Sequence, residues 1–528
     1  MIPIVRHLLV AAAALPLFAL GQPAIQWQKC LGGSLLEWGE TMVQTQDGGY
    51  VIAGNTYSID GDVSGFHGGE ILGDIWVVKV DALGTFQWQR CLGGSETDEA
   101  KSIQQTTDGG YVVAGSTNSS DGDVSGLHPG VFDMWGDAWV VKLDANGDIQ
   151  WQRCLGGTWD DRAACIQQTA DGGYILVGEA ESSNGDVSGH MDNDDVWVVK
   201  LDPDGVLQWQ RCLGSDGADR GSAIHEMADG GYIVVGRTRS EDIVGFHLPE
   251  DNHDVWVARL DATGDQQWQR CYGGAGRDYA NSVQSTPDGG SVITGWTESN
   301  DGDVSGNHGG NGDCWVLKLD AGGGIEWQKC LGGSGTDEMY SIRTDSGGYI
   351  LGGATTSTDG DLTGLSNGVG DAWVTQLNGS GAIQWQKCLG GPGSVGTSAK
   401  AVTQSADGGY AAAGGAGGNG GTVSGMHGAG DVWLVKLGPT VGITETDTRL
   451  FSVSPNPTNT RVTIGFPADA RPTQITLLDV AGRLVSTQSM VPATVPFAMD
   501  LSAKETGLYL VQVRFADGTI VTQRLVKE

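Results

Sequence analysis

Continuous apolar runs alternate along this chain with glycine- and aspartate-rich turns and long polar loops. Segments such as Tyr111-Val112-Val113-Ala114-Gly115 and Trp139-Val140-Val141 do not alternate apolar with polar positions, as a half-buried strand would. Short unbroken runs of β-branched and aromatic residues predict strands buried on both faces. Thr107-Asp108-Gly109-Gly110 and Asp144-Ala145-Asn146-Gly147 carry turn chemistry. Aspartate bonds its own backbone there, and glycine supplies positive φ. One unit thus reads as four strands, at 101–106, 111–116, 137–143 and 149–155, with a long loop between the second and third. No helical periodicity interrupts the pattern.

The unit recurs. Trp-Gln-Lys/Arg-Cys begins at Trp27, Trp88, Trp151, Trp209, Trp268, Trp327 and Trp385, at spacings of 61, 63, 58, 59, 59 and 58. Asp-x-Trp-Val-Val-Lys-Leu or a near variant centres on Trp76, Trp139, Trp197, Trp256, Trp315, Trp373 and Trp433. A third phrase, Asp-Gly-Gly-Tyr-Val-Val-Ala-Gly or close to it, starts at Asp47, Asp108, Asp171, Asp229, Asp288 and Asp407; the sixth copy reads Ser346-Gly347-Gly348-Tyr349. A fixed period marks a repeat architecture. Four-stranded units buried on both faces fit a β-propeller, whose blades stack between neighbours. A flat β-solenoid would need shorter coils and capping repeats. Residues 25–30 are a fourth strand with no third before it, and 431–437 a third strand with no fourth after it. Left open, both would be unpaired edges. The pattern therefore predicts an all-β chain: a seven-bladed β-propeller over 22–437, its last blade built from both ends. The phrases Gly-Gly-Tyr-Val-Val-Ala-Gly and Trp-Val-Val-Lys-Leu-Asp-x-x-Gly resemble short-repeat propellers of exported bacterial proteins over roughly 25–437.

Composition adds export and partners. Glycine supplies 87 of 528 residues, yet 39% apolar residues and 18 tryptophans give ample core material and exclude a disordered chain. The formal net charge of −34 repels phosphate backbones and anionic lipid, which argues against nucleic acid and membrane-surface partners. Residues 1–21 read as a signal peptide: Arg6 and His7, an apolar run from Leu8 to Leu20, and small residues before Gln22. That run is too short to span a bilayer.

Fourteen tryptophans occupy the two repeat positions, where blade packing requires large buried groups; removing one is expected to cost about 3–5 kcal/mol. Seven of the nine cysteines share one repeat position, from Cys30 to Cys388. Equivalent outer strands lie too far apart for a bridge, so these read as small buried apolar residues. Three loop features remain. The loop Ser-x-Asp-Gly-Asp-Val-Ser-Gly or a variant carries Asp60/Asp62, Asp121/Asp123, Asn184/Asp186, Asp301/Asp303 and Asp359/Asp361. Alternating carboxylates suit calcium, or serve as Asx turns bonding the loop backbone. His67, His128, His308 and His427 follow this loop and read as packing residues. Glu37, Asp98, Asp161, Asp219, Asp278 and Asp337 precede the innermost strands, either ringing the channel mouth or accepting backbone N–H bonds. Trp38, Phe132, Trp135 and Trp159 fall in loops on one face, where they either stack on a glycan, anchor a protein, or pack their own loops.

No catalytic constellation stands out: His-Glu-x-x-His and a phosphate-binding Gly-Lys-Ser/Thr are absent from the sequence. An enzyme usually breaks repeat symmetry at its site with unlike polar residues, whereas the departures here are mostly aromatic or inserted loop residues.

After a linker at 438–450 the glycine-rich repeat stops, and 451–528 reads as a small β-sandwich. Phe451-Ser452-Val453-Ser454-Pro455-Asn456-Pro457, then Asp479-Val480-Ala481-Gly482-Arg483-Leu484-Val485, Gly507-Leu508-Tyr509-Leu510-Val511 and the basic end at Lys527 resemble the type A C-terminal sorting domain of the type IX secretion system. The resemblance implies recognition by that machinery, passage through the periplasm, cleavage within about 438–451, and joining to surface lipopolysaccharide or release. It implies nothing about the cargo's activity. The sequence thus suggests a non-enzymatic exported propeller that binds a glycan or protein through a loop face. The alternatives are a secreted carbohydrate-active enzyme and a calcium-stabilised surface protein.

Overall fold

The computed structural model describes residues 22–439 and 451–527, except 70–71, 131–135, 192, 248–251, 367, 369, 392–395, 455–457, 459, 468–470, 480–483, 490–496, 505–506 and 516–519. Residues 1–21, expected to be a signal peptide, and residues 440–450 of the expected linker lie outside the described residues. The chain divides into two compact units, Pro23–Pro439 and a second that holds Thr440–Glu528.

The first unit is an all-β propeller of repeated four-stranded sheets. Its first sheet runs Glu37–Gln44, Tyr50–Thr56, Asp74–Val80 and Phe86–Leu92, each strand antiparallel to the next. Among the described residues five more sheets follow in the same order. The seventh joins Ala401–Gln404, Tyr410–Ala416 and Asp431–Leu437 to Ile25–Leu31 from the other end of the chain, with Cys30 opposite Trp433. The innermost strands touch in a closed cycle, with Glu37–Gln44 meeting both Asp98–Gln105 and Ala401–Gln404. The innermost strand of the second sheet begins at Asp98 rather than at residue 101. A bulge between Ala100 and Ser102 breaks the two-residue alternation by which the sequence pattern would have located it.

The repeat phrases are the joints of this assembly. The tryptophan of each Asp-x-Trp phrase is almost wholly buried, and its indole N–H donates to the glutamine of the adjacent Trp-Gln phrase: Trp76 to Gln89 at 2.8 Å, Trp139 to Gln152 at 2.8 Å, Trp433 to Gln28 at 2.9 Å. The tryptophan of the Trp-Gln phrase instead sits half-buried on the outer strand, save for buried Trp385, and meets the tyrosine of the following sheet, as Trp88 does Tyr111 at 5.7 Å and Trp27 does Tyr50 at 6.0 Å. Lys142, 3% exposed, reaches Asp108 at 2.9 Å, and the same pair recurs as Lys79–Asp47 at 3.0 Å and Lys436–Asp407 at 2.9 Å. Where the repeat departs, partners change together. The sixth sheet replaces the lysine by Gln376, which donates to Asp345 at 2.7 Å. The fifth has Ser291 in place of the tyrosine, and Tyr272 donates its hydroxyl to the Gly323 carbonyl at 2.5 Å.

All nine cysteines are free thiols, buried or half-buried. Burial pushes the Cys30 and Cys154 thiols up to about 12, so both stay protonated and unreactive at neutral pH.

The second unit has two sheets. Ser452–Ser454, Arg461–Gly465 and Phe497–Asp500 form one; Leu484–Ser489, Pro472–Asp479, Gly507–Phe515 and Ile520–Lys527 form the other. Val462 and Ile464 of the first share a core with Ile475, Leu477, Val511 and Val513 of the second.

Candidate functional site

The loops linking second to third strands, and fourth to next first strands, gather at one end of the propeller unit. Carboxylates hold them in place. Asp98 is fully buried; one oxygen accepts the Gly94 N–H at 2.8 Å and the Ser119 hydroxyl at 2.9 Å, and the other accepts the Thr117 hydroxyl. Asp161, Asp219, Asp278 and Asp337 are buried likewise, each accepting a loop N–H and a serine hydroxyl. Glu37 plays this part in the first sheet, taking the Gly33 N–H at 2.7 Å. Of the two readings of this acidic position, backbone acceptor is the one realised. Burial is the leading cause that pushes the Asp98 and Asp161 carboxyls up to about 6.

The Asp-Gly-Asp loops bond backbone as well. Asp60 accepts the Ser34 N–H at 2.7 Å and Asp62 the Gly32 N–H at 3.2 Å. Asp121 and Asp123 take Ser95 and Gly93, Asp301 and Asp303 take Ala275 and Gly273, and Asp359 and Asp361 take Ser334 and Gly332. Among the described residues no group of three or more His, Cys, Asp and Glu is arranged to hold a metal ion. The loop serine has its own role: Gln89, which accepts the Trp76 indole, donates to the Ser64 hydroxyl at 2.6 Å.

The histidines do more than fill space. His67 places its backbone N–H and Nδ1 at 2.8 and 2.9 Å from buried Asp74, the first residue of its third strand. His128–Asp137, His308–Asp313 and His427–Asp431 repeat the pair, and so does His247–Asp254, which sequence reading passed over. Nε2 of His67 also comes within 4.0 Å of Asp123 in the next sheet's loop. The histidine therefore stands between two carboxylates, one from each sheet.

Of the aromatics expected to cluster in loops, Phe132 and Trp135 lie outside the described residues. Trp159 is in a loop and 43% exposed. Trp38 is not in a loop: it is the second residue of the innermost strand Glu37–Gln44, half-buried and 5.7 Å from Tyr57. Its strand begins at Glu37 because that residue pairs with Thr56.

Trp38 belongs to a set that repeat reading missed. The residue after each acidic position varies from sheet to sheet: Trp38, Glu99, Arg162, Arg220, Tyr279 and Glu338, with Ser398 at the matching place in the seventh sheet. Several have ionic or hydrogen-bond partners at the mouth. Arg220 contacts Glu179 at 3.0 Å and Asp194 at 2.5 Å, and the Tyr279 hydroxyl donates to Glu338 at 3.2 Å. Below this mouth the innermost strands line a cavity of about 310 Å³. Its wall is equally uneven, with Glu40, Lys101, Asn281, Tyr340 and Lys400 on one level and His225 and Arg343 farther along. Symmetry, expected to break mostly at aromatics and inserted loop residues, also breaks along the channel. The signal was in the sequence, one and three residues after each acidic position. It was hidden because those strands are short, bulged and the least regular part of each repeat.

In the second unit, Gly507 opens the strand Gly507–Phe515, Tyr509 is buried in the core, and Lys527 ends the last strand, bridged in parallel to Thr458. Pro455, Asn456, Pro457 and Gly482 lie outside the described residues.

Comparison with known proteins agrees with this division. Residues 452–528 match the secretion system C-terminal sorting domain. The chain is thus an exported protein on a β-propeller scaffold: the domain marks it for passage through the periplasm, to be secreted or attached to the cell surface, and implies interaction with the type IX secretion machinery. A regulatory protein of Caulobacter vibrioides, FlaEY, is 24% identical over 394 residues, covering 67% of this chain and 40% of its own length. This chain thus spans about two fifths of that relative. Among solved structures, Sqt1 of Chaetomium thermophilum aligns at 12% identity over 78% of this chain and 100% of its own, with a TM-score of 0.40. The WD40 domain of Neurospora crassa Pan2 aligns at 12% identity over 78% and 98%, with a TM-score of 0.38.

Proposed function

We propose that this protein is an exported, seven-bladed, non-enzymatic β-propeller with a sandwich-type sorting domain, and that it binds a glycan or protein ligand through the face where its long loops meet. One observation carries the reading. The repeat keeps its packing residues from sheet to sheet, yet at the mouth of the ring it places Trp38, Glu99, Arg162, Arg220, Tyr279 and Glu338 in equivalent positions. Packing asks for sameness there; recognition of an asymmetric ligand asks for difference. Exposed Trp159 adds an aromatic face on the same side, suited to stacking on a sugar ring. Export places such a surface where extracellular glycans and proteins are met. The sorting domain is then cleaved within about 438–451 and the propeller released or joined to surface lipopolysaccharide.

A glycan array probed with the purified full chain tests the reading. Retention of a defined glycan class that is lost in Trp159→Ala, with the thermal midpoint unchanged, supports it. Turnover of a polysaccharide, abolished by a single carboxylate substitution, overturns the non-enzymatic part. Mass spectrometry of the protein recovered from the cell surface and the medium reads the cleavage point directly.

A further inference from the structure

Among the described residues, Arg343 of the channel has no carboxylate partner. Its wall carries Glu40, Lys101, Lys400 and Arg343 as formal charges, a net positive interior in a protein of net charge −34. Two of the three cations are provided for at the mouth end. Lys101 contacts Glu99 at 3.2 Å, and the Lys400 ammonium lies 3.6 Å from the centre of the Tyr340 ring. Arg343, the seventh residue of the innermost strand Asp337–Asp345, has neither. Its guanidinium donates to the neighbouring Ile342 carbonyl at 3.1 Å, and among the described residues no carboxylate pairs with it. Arg343 is half-buried where it lines the cavity, and desolvation lowers its pKa from the ordinary value. A guanidinium has five N–H donors, so one bond to a carbonyl leaves most of them unused.

His225 lines the same cavity from the fourth sheet. Its Nδ1 is 2.8 Å from the Glu226 carbonyl. A carbonyl only accepts, so Nδ1 carries the hydrogen, and Nε2 of the neutral ring is an acceptor. Burial, reinforced by the Arg343 charge, lowers the imidazole pKa below its ordinary value and keeps the ring neutral.

We infer that the Arg343–His225 region of the central channel is a binding site for a small hydroxy-carboxylate, such as a sugar acid, with the carboxylate on the Arg343 guanidinium and a hydroxyl donating to His225 Nε2. The planar fork of arginine matches the two oxygens of a carboxylate, and the neutral imidazole asks for a donor beside it. A cavity of about 310 Å³ is at the lower end of small-ligand sites. The site is independent of what the loop face binds, because it uses the half of the innermost strands farther from the mouth.

Isothermal titration of the full chain with sodium glucuronate, glucose, acetate and inorganic phosphate tests this. Glucuronate binds and glucose does not. Arg343→Gln weakens glucuronate at least about tenfold. His225→Phe weakens glucuronate but leaves acetate unchanged, because acetate has no hydroxyl to donate. Where Arg343→Gln fails to fold, Arg343→Lys keeps the charge and loses the paired contact, and must weaken glucuronate severalfold. Any one of four results overturns the assignment: no heat with glucuronate up to about 10 mM, unchanged affinity in both Arg343 variants, phosphate binding as tightly as glucuronate, or loss of glucuronate binding in Trp159→Ala, which would place the ligand on the loop face.

Discussion

The indole of Trp433 donates to the carboxamide oxygen of Gln28 at 2.9 Å across 405 residues of chain. The same bond joins Trp139 to Gln152 inside one continuous hairpin. One repeat joint is thus used both locally and to fasten the two ends of the propeller unit. Tyr50 and Ser405, 2.8 Å apart through their hydroxyls, add a second tie across the seam.

Deleting 22–31 should therefore do far more than remove a strand. It strips the partner from Asp431–Leu437, exposes an unpaired edge and leaves the Trp433 N–H without its acceptor. The expected outcome is aggregation on size-exclusion chromatography. Gln28→Ala alone should cost about 1–3 kcal/mol in urea denaturation, as should Gln152→Ala. A much smaller effect at Gln28 would mean that the seam does not bear on stability.

Lys142 is buried while its partner Asp108 is half-exposed. The sixth sheet shows that a neutral glutamine can serve at this position, since Gln376 bonds Asp345. Lys142→Gln should cost under about 1 kcal/mol, whereas Asp108→Ala, which leaves a buried ammonium short of its counter-charge, should cost about 1–3 kcal/mol. Denaturation midpoints of the two variants decide it; a larger loss in Lys142→Gln would refute the argument.

Gly147 has φ of 84°, and a Cβ there would come within 2.8 Å of the Trp88 ring of the preceding sheet. Gly147→Ala thus combines backbone strain with a collision against an inter-sheet joint. A loss of more than about 1 kcal/mol is expected, read as a lower thermal midpoint. Gly126, also at positive φ but with open space around it, should suffer the strain alone and lose less.

Stability should peak on the acid side of neutrality. Asp98 and Asp161 have folded pKa values near 6, above the ordinary carboxyl value. Between about pH 4 and 6 the folded chain holds protons that the unfolded chain has released, so stability falls as pH rises through that window. Asp47, Asp108, Asp171 and Asp288 behave oppositely. Partial burial acts against ionisation for the first three most strongly, but threonine hydroxyls, glycine N–H groups and the buried lysines outweigh it and hold all four at about 2. Their contribution is complete above about pH 4 and lost as pH falls toward 2. A thermal midpoint measured from pH 2 to 8 should peak near about pH 4–5; a monotonic rise to pH 8 would contradict this.

The repeat phrases were legible because packing imposes the same demand on every sheet. Trp139 and its six counterparts, the Asp-x-x-Gly hairpins and the unmatched segments at both ends could be read without coordinates. The sorting domain was legible through its motifs in order. The placement of Trp38 in a loop was wrong, because the Ala100/Ser102-type bulge hides the start of each innermost strand. His247 was overlooked, since the histidine-to-aspartate distance along the chain varies from four to nine residues and only the fold makes the pairs equivalent.

Sequence alone determined the strand content, the repeat and the export tail, because each rests on contacts between near neighbours or on a local motif. Which side chains face one another around the channel was decided only by closure of the ring. Arg343 and His225 are 118 positions apart on strands of different sheets. Their meeting in one cavity depends on the curvature that brings Glu37–Gln44 against Ala401–Gln404, and no periodicity along the chain encodes it.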